Sequence, residues 1–376
     1  MRLLLRAAST YLIPSLSAKA TGRMASTATN KLGHIERTAA EPRDKSLFTV
    51  VLHKVDEVND QIRLFRLEIP LNGPQLRFLP GQWLDVYCPG VPKAGGFTIT
   101  SPPSKARPSS SSITGSKATD GGSEPTKEKD EQNPAVAAPG YLELAVQKSP
   151  ANPPAAWLWQ EDQDTMKPTK ETIIGREIRV RVGGSFVWPP PGINVRSLRR
   201  VVFVAGGVGI NPLIAMASSL VPPLPFKVKF LYSVKDPLQT TPQSGLEEAA
   251  DGEKKRDASR ILFLDRLVKI FGGDGERGEA EKGKVEGDLK LFLTGGGGQG
   301  EEQGTMEVGN SSKVTFLRRR MEISDVEEAV GGPAERRFAV VYVCGVPDMT
   351  DTFVEKLRSK DGLDMEPHRV LCEKWW

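Results

Sequence analysis

The sequence predicts two domains in series: an antiparallel β-barrel, then an α/β domain built on a doubly wound parallel sheet. Three features carry this. In the first half, short segments alternate apolar and polar residues and are separated by turn residues, the pattern of a small antiparallel barrel. In the second half, near-continuous apolar runs alternate with helical segments, as in a parallel sheet covered on both faces. Where the halves meet, Val201-Val202-Phe203-Val204 runs without a break into Ala205-Gly206-Gly207-Val208-Gly209, and Pro212 follows in the first turn of an apolar helix.

The length of 376 residues admits two domains plus tails. A net charge of +4, with lysine and arginine spread along the chain, gives no case for nucleic acid. Three cysteines (Cys88, Cys344, Cys372) without a Cys-x-x-Cys spacing exclude a disulfide framework, a zinc ribbon and a plant-type iron–sulfur module. With three histidines, no metal site is expected. No stretch approaches the ~20 apolar residues of a membrane span, so no transmembrane segment is expected.

Residues 1–44 are set apart from the fold. Arg2, Arg6, Lys19, Arg23 and Lys31 precede the first acidic residue, Glu36, among serine, threonine, alanine and leucine. That is the composition of a mitochondrial transit peptide, the bland alternative being a disordered terminus. The barrel is placed at residues 45–196. Its strands are read at Phe48–Val55, Ile62–Ile69, Trp83–Tyr87 and Tyr141–Gln147, with another strand and turn over Glu177–Phe186 and a disordered insertion over 104–138 that holds almost nothing apolar. Pro189-Pro190-Pro191-Gly192 reads as the interdomain hinge.

The α/β domain is placed at 197–376. Strands are expected at Val201–Val204, Lys227–Val234, Leu289–Thr294, Phe338–Cys344 and Arg369–Cys372, and helices at Ile261–Phe271 and Met349–Arg358. A polar insertion over 239–258 and a glycine-rich loop over 295–312 interrupt it; the loop gets no phosphate-binding role, since no periodic apolar segment follows.

Strand, glycine turn and helix in that order place main-chain N–H groups and a helix N-terminus where an anion can approach. The turn is not G-x-G-x-x-G, because proline stands where a later glycine would fall. It resembles the Gly-Gly-x-Gly-[Ile/Val]-x-Pro turn of the ferredoxin–NADP reductase family. Two further stretches resemble that family's motifs over roughly residues 45–376: Gly95-Gly96-Phe97-Thr98-Ile99-Thr100-Ser101, and Cys344-Gly345-Val346-Pro347-Asp348-Met349. The ending Glu373-Lys374-Trp375-Trp376 resembles the terminus whose aromatic ring covers a flavin. Gly95 stands where the family has an arginine for the flavin phosphate, a trait shared with a mitochondrial branch of the family.

The resemblance implies a flavin-binding barrel and an NAD(P)-binding sheet. The dinucleotide would lie on Gly206, Gly207, Val208, Gly209, Ile210, Asn211 and Pro212, its nicotinamide near Gly345. FAD, or alternatively FMN, would lie against Phe97, Thr98, Ile99, Thr100 and Ser101, with Asn152 capping a helix that offers N–H groups to a phosphate, or simply capping it. Cys344 beside the hydride path and Trp376 over the flavin face are the expected catalytic residues, with Trp375 as a flavin contact. Cys344 alone also reads as a small buried residue, and the tryptophans as a clasp. Val234, Lys235 and Asp236 leave NADH and NADPH both open.

The implied function is an NAD(P)H-dependent flavoprotein oxidoreductase that hands electrons to an acceptor this chain does not encode. Two rivals stand beside it: a mitochondrial dinucleotide-binding assembly or regulatory factor without retained flavin, and an enzyme that takes flavin up only as a substrate.

Overall fold

The computed structural model describes residues 33–110, 137–160, 173–237, 256–272, 284–295, 303–309 and 312–374. The first domain is a barrel as expected. Its strands are β1 (Phe48–Asn59), β2 (Ile62–Glu68), β3 (Trp83–Tyr87) and β4 (Gly95–Thr98), a short pair β5 (Ser109–Ser110) and β6 (Ala137–Ala138), then β7 (Tyr141–Gln147) and β8 (Glu177–Gly183). Six of them form an antiparallel sheet in the order β4-β3-β8-β1-β2-β7, and a bridge between Ile99 and Leu144 joins its two edges. Alternation decides what faces inward: Leu84, Val86 and Phe97 enter the barrel core with Val50, Leu52, Phe65 and Leu142.

The second sheet has seven strands: β9 (Arg200–Gly206), β10 (Lys227–Lys235), β11 (Gly287–Thr294), β12 (Gln303–Val308), β13 (Ser312–Leu317), β14 (Ala339–Gly345) and β15 (Val370–Lys374). Their order is β12-β13-β11-β10-β9-β14-β15, parallel except for the β12–β13 hairpin. Phe203, Phe230 and Tyr342 pack on one face against α3 (Ile210–Ala217) and α4 (Leu264–Phe271). Val202, Val204 and Val343 pack on the other against α5 (Ile323–Val330) and α7 (Pro347–Arg358), with α6 (Pro333–Arg336) between those two in the chain. Both faces are covered, which is why Val201 to Ala205 are apolar without alternation and wholly buried. The chain winds from β9 to β10 on one side and returns to β14 on the other, so the switch point lies between β9 and β14.

Several boundaries differ from expectation. Residues 33–44 are ordered: α1 (His34–Arg37) lies on the barrel, and Arg43 bridges Gly183. The His34 ring fills the space a side chain at Gly96 would take, 2.1 Å from that missing β-carbon. It also bonds buried Asp85 at 2.9 Å, a carboxylate that accepts from Arg43 at 3.1 Å and Arg181 at 2.8 Å as well. The insertion expected at 104–138 includes an ordered turn at Pro103–Ala106 with Ala106 buried, and in the one expected at 239–258 Arg256 pairs with Asp236 at 3.1 Å. The loop expected at 295–312 holds β12, whose Met306 and Val308 are buried. Phe186 and Trp188, on the barrel side of the boundary drawn at 196, belong to the core of the second domain. The tail 1–32 and the remaining parts of these insertions lie outside the described residues.

A polar seam joins the domains. Arg266 on α4 donates to both carboxylate oxygens of buried Glu143 on β7, at 2.9 and 3.1 Å, and to the Thr100 carbonyl at 3.1 Å. The Asn59 amide donates to the Arg260 carbonyl at 2.9 Å.

Candidate functional site

The glycine turn and the Cys344-Gly345 turn meet at the switch point. Gly206 and Gly345 end neighbouring strands, Cys344 being paired with Ala205 one residue before. A β-carbon on Gly345 would lie 3.4 Å from the Gly206 Cα, and one on Gly206 would lie 3.5 Å from the Gly345 Cα. Met349 on α7 lies over both. Two strand ends thus carry no side chain of their own in the crevice where open α/β sheets bind ligands, and Met349 fills the space a β-carbon would take at either, 2.8 Å away at Gly206 and 2.5 Å at Gly345.

The remaining glycines of the turn differ in what they do. Gly207 has φ +54° and nothing within 4 Å of its missing β-carbon, so it needs glycine for its conformation and leaves its backbone open. Gly209 is the reverse. A β-carbon there would sit 2.2 Å from the Cys344 carbonyl oxygen, so this glycine lets turn and strand touch. Val208 is half-buried, and Ile210, Asn211 and Pro212 are buried and hold the turn from beneath. Asn211 donates to the Ala145 carbonyl of β7 at 3.1 Å, tying the turn to the barrel. The Cys344 side chain is fully buried in the core under α3.

On the barrel side, the stretch Phe97–Ser101 is largely committed to the fold. Ile99 bridges Leu144; the Thr100 hydroxyl bonds Glu143 Oε1 at 2.7 Å; Ser101 Oγ accepts from the Glu143 N–H at 3.1 Å. Thr98 differs. Its hydroxyl is buried and has no partner among the described residues. A shut-in hydroxyl costs roughly 1–3 kcal/mol, which a polar ring edge beside it would recover.

At Gly95 the sequence lacks the family's arginine, and at Asn152 it offers a helix cap with or without donors to a phosphate. A β-carbon at Gly95 would meet the Phe97 ring at 2.6 Å and Pro154 Cβ at 2.7 Å, so the space for a side chain there is filled. Asn152 precedes α2 (Pro153–Leu158) but makes no side-chain cap bond, and the first two helical residues are prolines. Proline has no N–H, so the expectation that Asn152 caps a helix offering donors to a phosphate is corrected.

Glu373 joins the site without having been expected there. It is paired in parallel register with Cys344, and its Oε2 is buried without a partner among the described residues. Burial, aided by the nearby charge of Glu41, pushes its carboxyl up to about 8. The strand read from the sequence stopped at Cys372, so Glu373 followed it as a charged end and not as part of the sheet. Asp236, at the end of β10, is buried and paired with Arg256 at 3.1 and 3.2 Å. Trp375 and Trp376 lie outside the described residues.

No protein-family model matches the chain. It is 30% identical over 350 residues to oxidoreductase NAD-binding domain-containing protein 1 of Danio rerio, across 93% of this chain and 100% of that protein. It is 26% identical over 375 residues to the protein of the same name in Xenopus tropicalis, across 96% and 90%. Among solved structures, a flavohemoglobin from Malassezia yamatoensis with bound FAD and heme superposes with a TM-score of 0.50 at 11% identity. The match covers 91% of this chain and 63% of that one, and it is a likeness of fold.

Proposed function

The chain belongs to the oxidoreductase NAD-binding domain-containing protein 1 family, and from that premise we propose that it is an NAD(P)H-dependent oxidoreductase passing hydride to a flavin ring. The electrons then leave to an acceptor outside this chain. One observation carries the reading: both glycine motifs end strands that flank the switch point, and the backbone at Gly207, just past the first of them, stands open with nothing within 4 Å of its missing β-carbon.

In this reading the diphosphate of the dinucleotide rests on the amides following Gly206, with Gly207 giving close approach. The nicotinamide lies over Gly345, its position set by Met349 and by the Cys344 strand end. Flavin, when bound, supplies the two-electron acceptor. Thr98 offers its unpartnered hydroxyl to a polar edge of that ring, and Glu373 holds a proton at the same strand ends near neutral pH. No side chain need act as acid or base on the hydride itself; the protein positions the rings and excludes water. Trp376, with Trp375, covers the ring in the reading's fullest form. The acid-free, basic N-terminus directs the chain to mitochondria.

The filled space at Gly95 favours a second reading, a mitochondrial dinucleotide-binding assembly or regulatory factor without flavin. The purified chain mixed with NADH or NADPH and added flavin separates the two. Catalytic loss of nicotinamide absorbance that requires flavin supports the oxidoreductase; dinucleotide binding with no oxidation supports the second.

A further inference from the structure

We infer that Asn211 is a positioning residue: its side-chain amide fixes the glycine turn in one register against barrel strand β7, and so sets the gap that hydride crosses. The inference rests on the hydride-transfer reading above and names what holds the two sides of that reading at a set distance.

Asn211 lies in the first turn of α3, directly behind the glycine turn, yet its side chain points to the barrel. It is 3% exposed, and its amide donates to the Ala145 carbonyl at 3.1 Å. β7 is an edge strand of the barrel sheet, and an edge strand presents main-chain groups that want partners. On β7 they are taken in sequence. The Glu143 carbonyl accepts from the Thr100 N–H at 2.8 Å within the barrel, and two residues on the Ala145 carbonyl accepts from Asn211 of the other domain.

The contact around this bond is largely apolar. The Ala145 side chain belongs to the core of the second domain, and Val58, Ile62 and Leu64 of β1 and β2 pack against the same core. Apolar burial is non-directional, and strand faces that repeat every two residues fit in more than one register. A buried directional bond selects one, as a lone buried amide does between the helices of a coiled coil. The Arg266–Glu143 pair holds a second point, two residues away on β7. Two such points keep the domains from sliding and from pivoting along that strand.

For stability alone, asparagine is a poor occupant of this position. Its Oδ1 is buried without a partner among the described residues. An apolar side chain of similar shape would remove one bond and one orphaned acceptor together, an exchange close to neutral. What asparagine adds over leucine is direction. Nor does the turn hold a nucleotide through it, because Gly207 faces the open side and Gly209 is seated on the Cys344 carbonyl within the sheet.

Asn211 therefore governs distance and not affinity. In the step concerned, the C4–H bond of the dihydronicotinamide breaks and an N5–H bond forms on the oxidised flavin, two electrons moving with the hydride. A proton from solvent completes the reduced ring at N1, leaving NAD(P)+. A misplacement of about 1 Å can slow such a transfer by roughly a hundredfold.

The test uses the full chain with Asn211→Leu, which keeps the branch at Cγ, and Asn211→Ser, which is smaller; neither carries the amide. Three quantities are read beside wild type: the Tm, the Kd for NADH and NADPH by fluorescence titration, and the rate of nucleotide oxidation at saturating nucleotide with FAD added. Asn211→Leu should melt no lower than wild type. Both variants should bind nucleotide within about threefold of wild type and oxidise it at least roughly tenfold more slowly. Unchanged oxidation in a folded variant overturns the inference, because the amide then only packs. A Kd raised in step with the lost rate overturns it as well, since Asn211 would then act through affinity. If leucine prevents folding, Asn211→Ser decides by the same two readings. A wild-type chain that binds nucleotide and never oxidises it removes the hydride-transfer reading and this inference together, a result distinct from an active wild type matched by active variants.

Discussion

Replacing Gly207 by alanine isolates the ligand-facing part of the glycine turn from its structural part. Gly207 has φ +54°, and a methyl group there meets no protein atom within 4 Å. The folding penalty is therefore the left-handed conformation alone, roughly 1–2 kcal/mol for a residue with a β-carbon. That corresponds to a fall in Tm of a few degrees, about 2–4 °C per kcal/mol for a chain of this order. Binding suffers more. The methyl projects into the open side where the proposed reading sets the diphosphate, and each backbone-to-phosphate hydrogen bond it would lengthen is worth about 1.5–3 kcal/mol. Loss of even one such bond weakens NADH at least about tenfold. Gly209→Ala should invert the pattern. Its methyl would sit 2.2 Å from the Cys344 carbonyl oxygen, so the strand end must move, at a cost of about 1–3 kcal/mol or more. Thermal melts with and without NADH, beside a fluorescence titration, read both quantities. A Gly207→Ala protein that melts near wild type and binds NADH with unchanged affinity would refute the reasoning, since the turn would then only connect a strand to a helix.

Other perturbations follow from the same geometry. The carboxyl of Glu373 is raised to about 8 against an ordinary value near 4.5, so the folded state holds its proton more tightly than the unfolded chain. Its contribution to stability is full below pH ~4.5, declines as pH rises towards 8 and is flat beyond. Glu373→Gln should abolish that slope in melts run across the interval and stabilise the protein at its alkaline end. Arg266→Ala strands the buried Glu143 carboxylate and should cost about 3 kcal/mol in chemical denaturation. Adding Glu143→Gln should recover part of that loss. Gly96→Ala drives a methyl to 2.1 Å from the His34 ring and should destabilise the wild type by roughly 1–2 kcal/mol, but the His34→Ala background by much less, a coupling that a double-mutant cycle measures.

How much of this was legible in the sequence depends on how far apart the interacting residues are. The change from two-residue alternation to unbroken apolar runs marked both domains, because it reports which strand faces are buried. The Gly206–Gly209 turn and the Cys344–Gly345 turn were legible for the same reason, each being a local chemistry at a strand end. The missing donors at Pro153 and Pro154 were readable too, being a property of proline, although the capping expectation for Asn152 passed over them. What the sequence could not disclose were pairings across distance. His34 against Gly96, Arg266 with Glu143, and Glu373 in register with Cys344 depend on the folded path and have no local pattern. The strand β12 was hidden by the glycine run before it, leaving Met306 and Val308 as its thin apolar signal. Phe186 and Trp188 are a further case of pairing across distance, packing on Tyr342 of the second sheet at 5.4 and 6.2 Å while the Trp188 main-chain N–H donates to the Pro80 carbonyl of the barrel at 3.0 Å.

The central claim is a location: a nicotinamide dinucleotide lies at the carboxyl ends of β9 and β14. Amide hydrogen exchange with and without saturating NADH, NADPH or the oxidised forms reads that location directly. Protection confined to peptides spanning Ala205–Leu213 and Gly345–Thr350 is the predicted result. A dinucleotide that binds while those amides exchange at an unaltered rate would contradict the account.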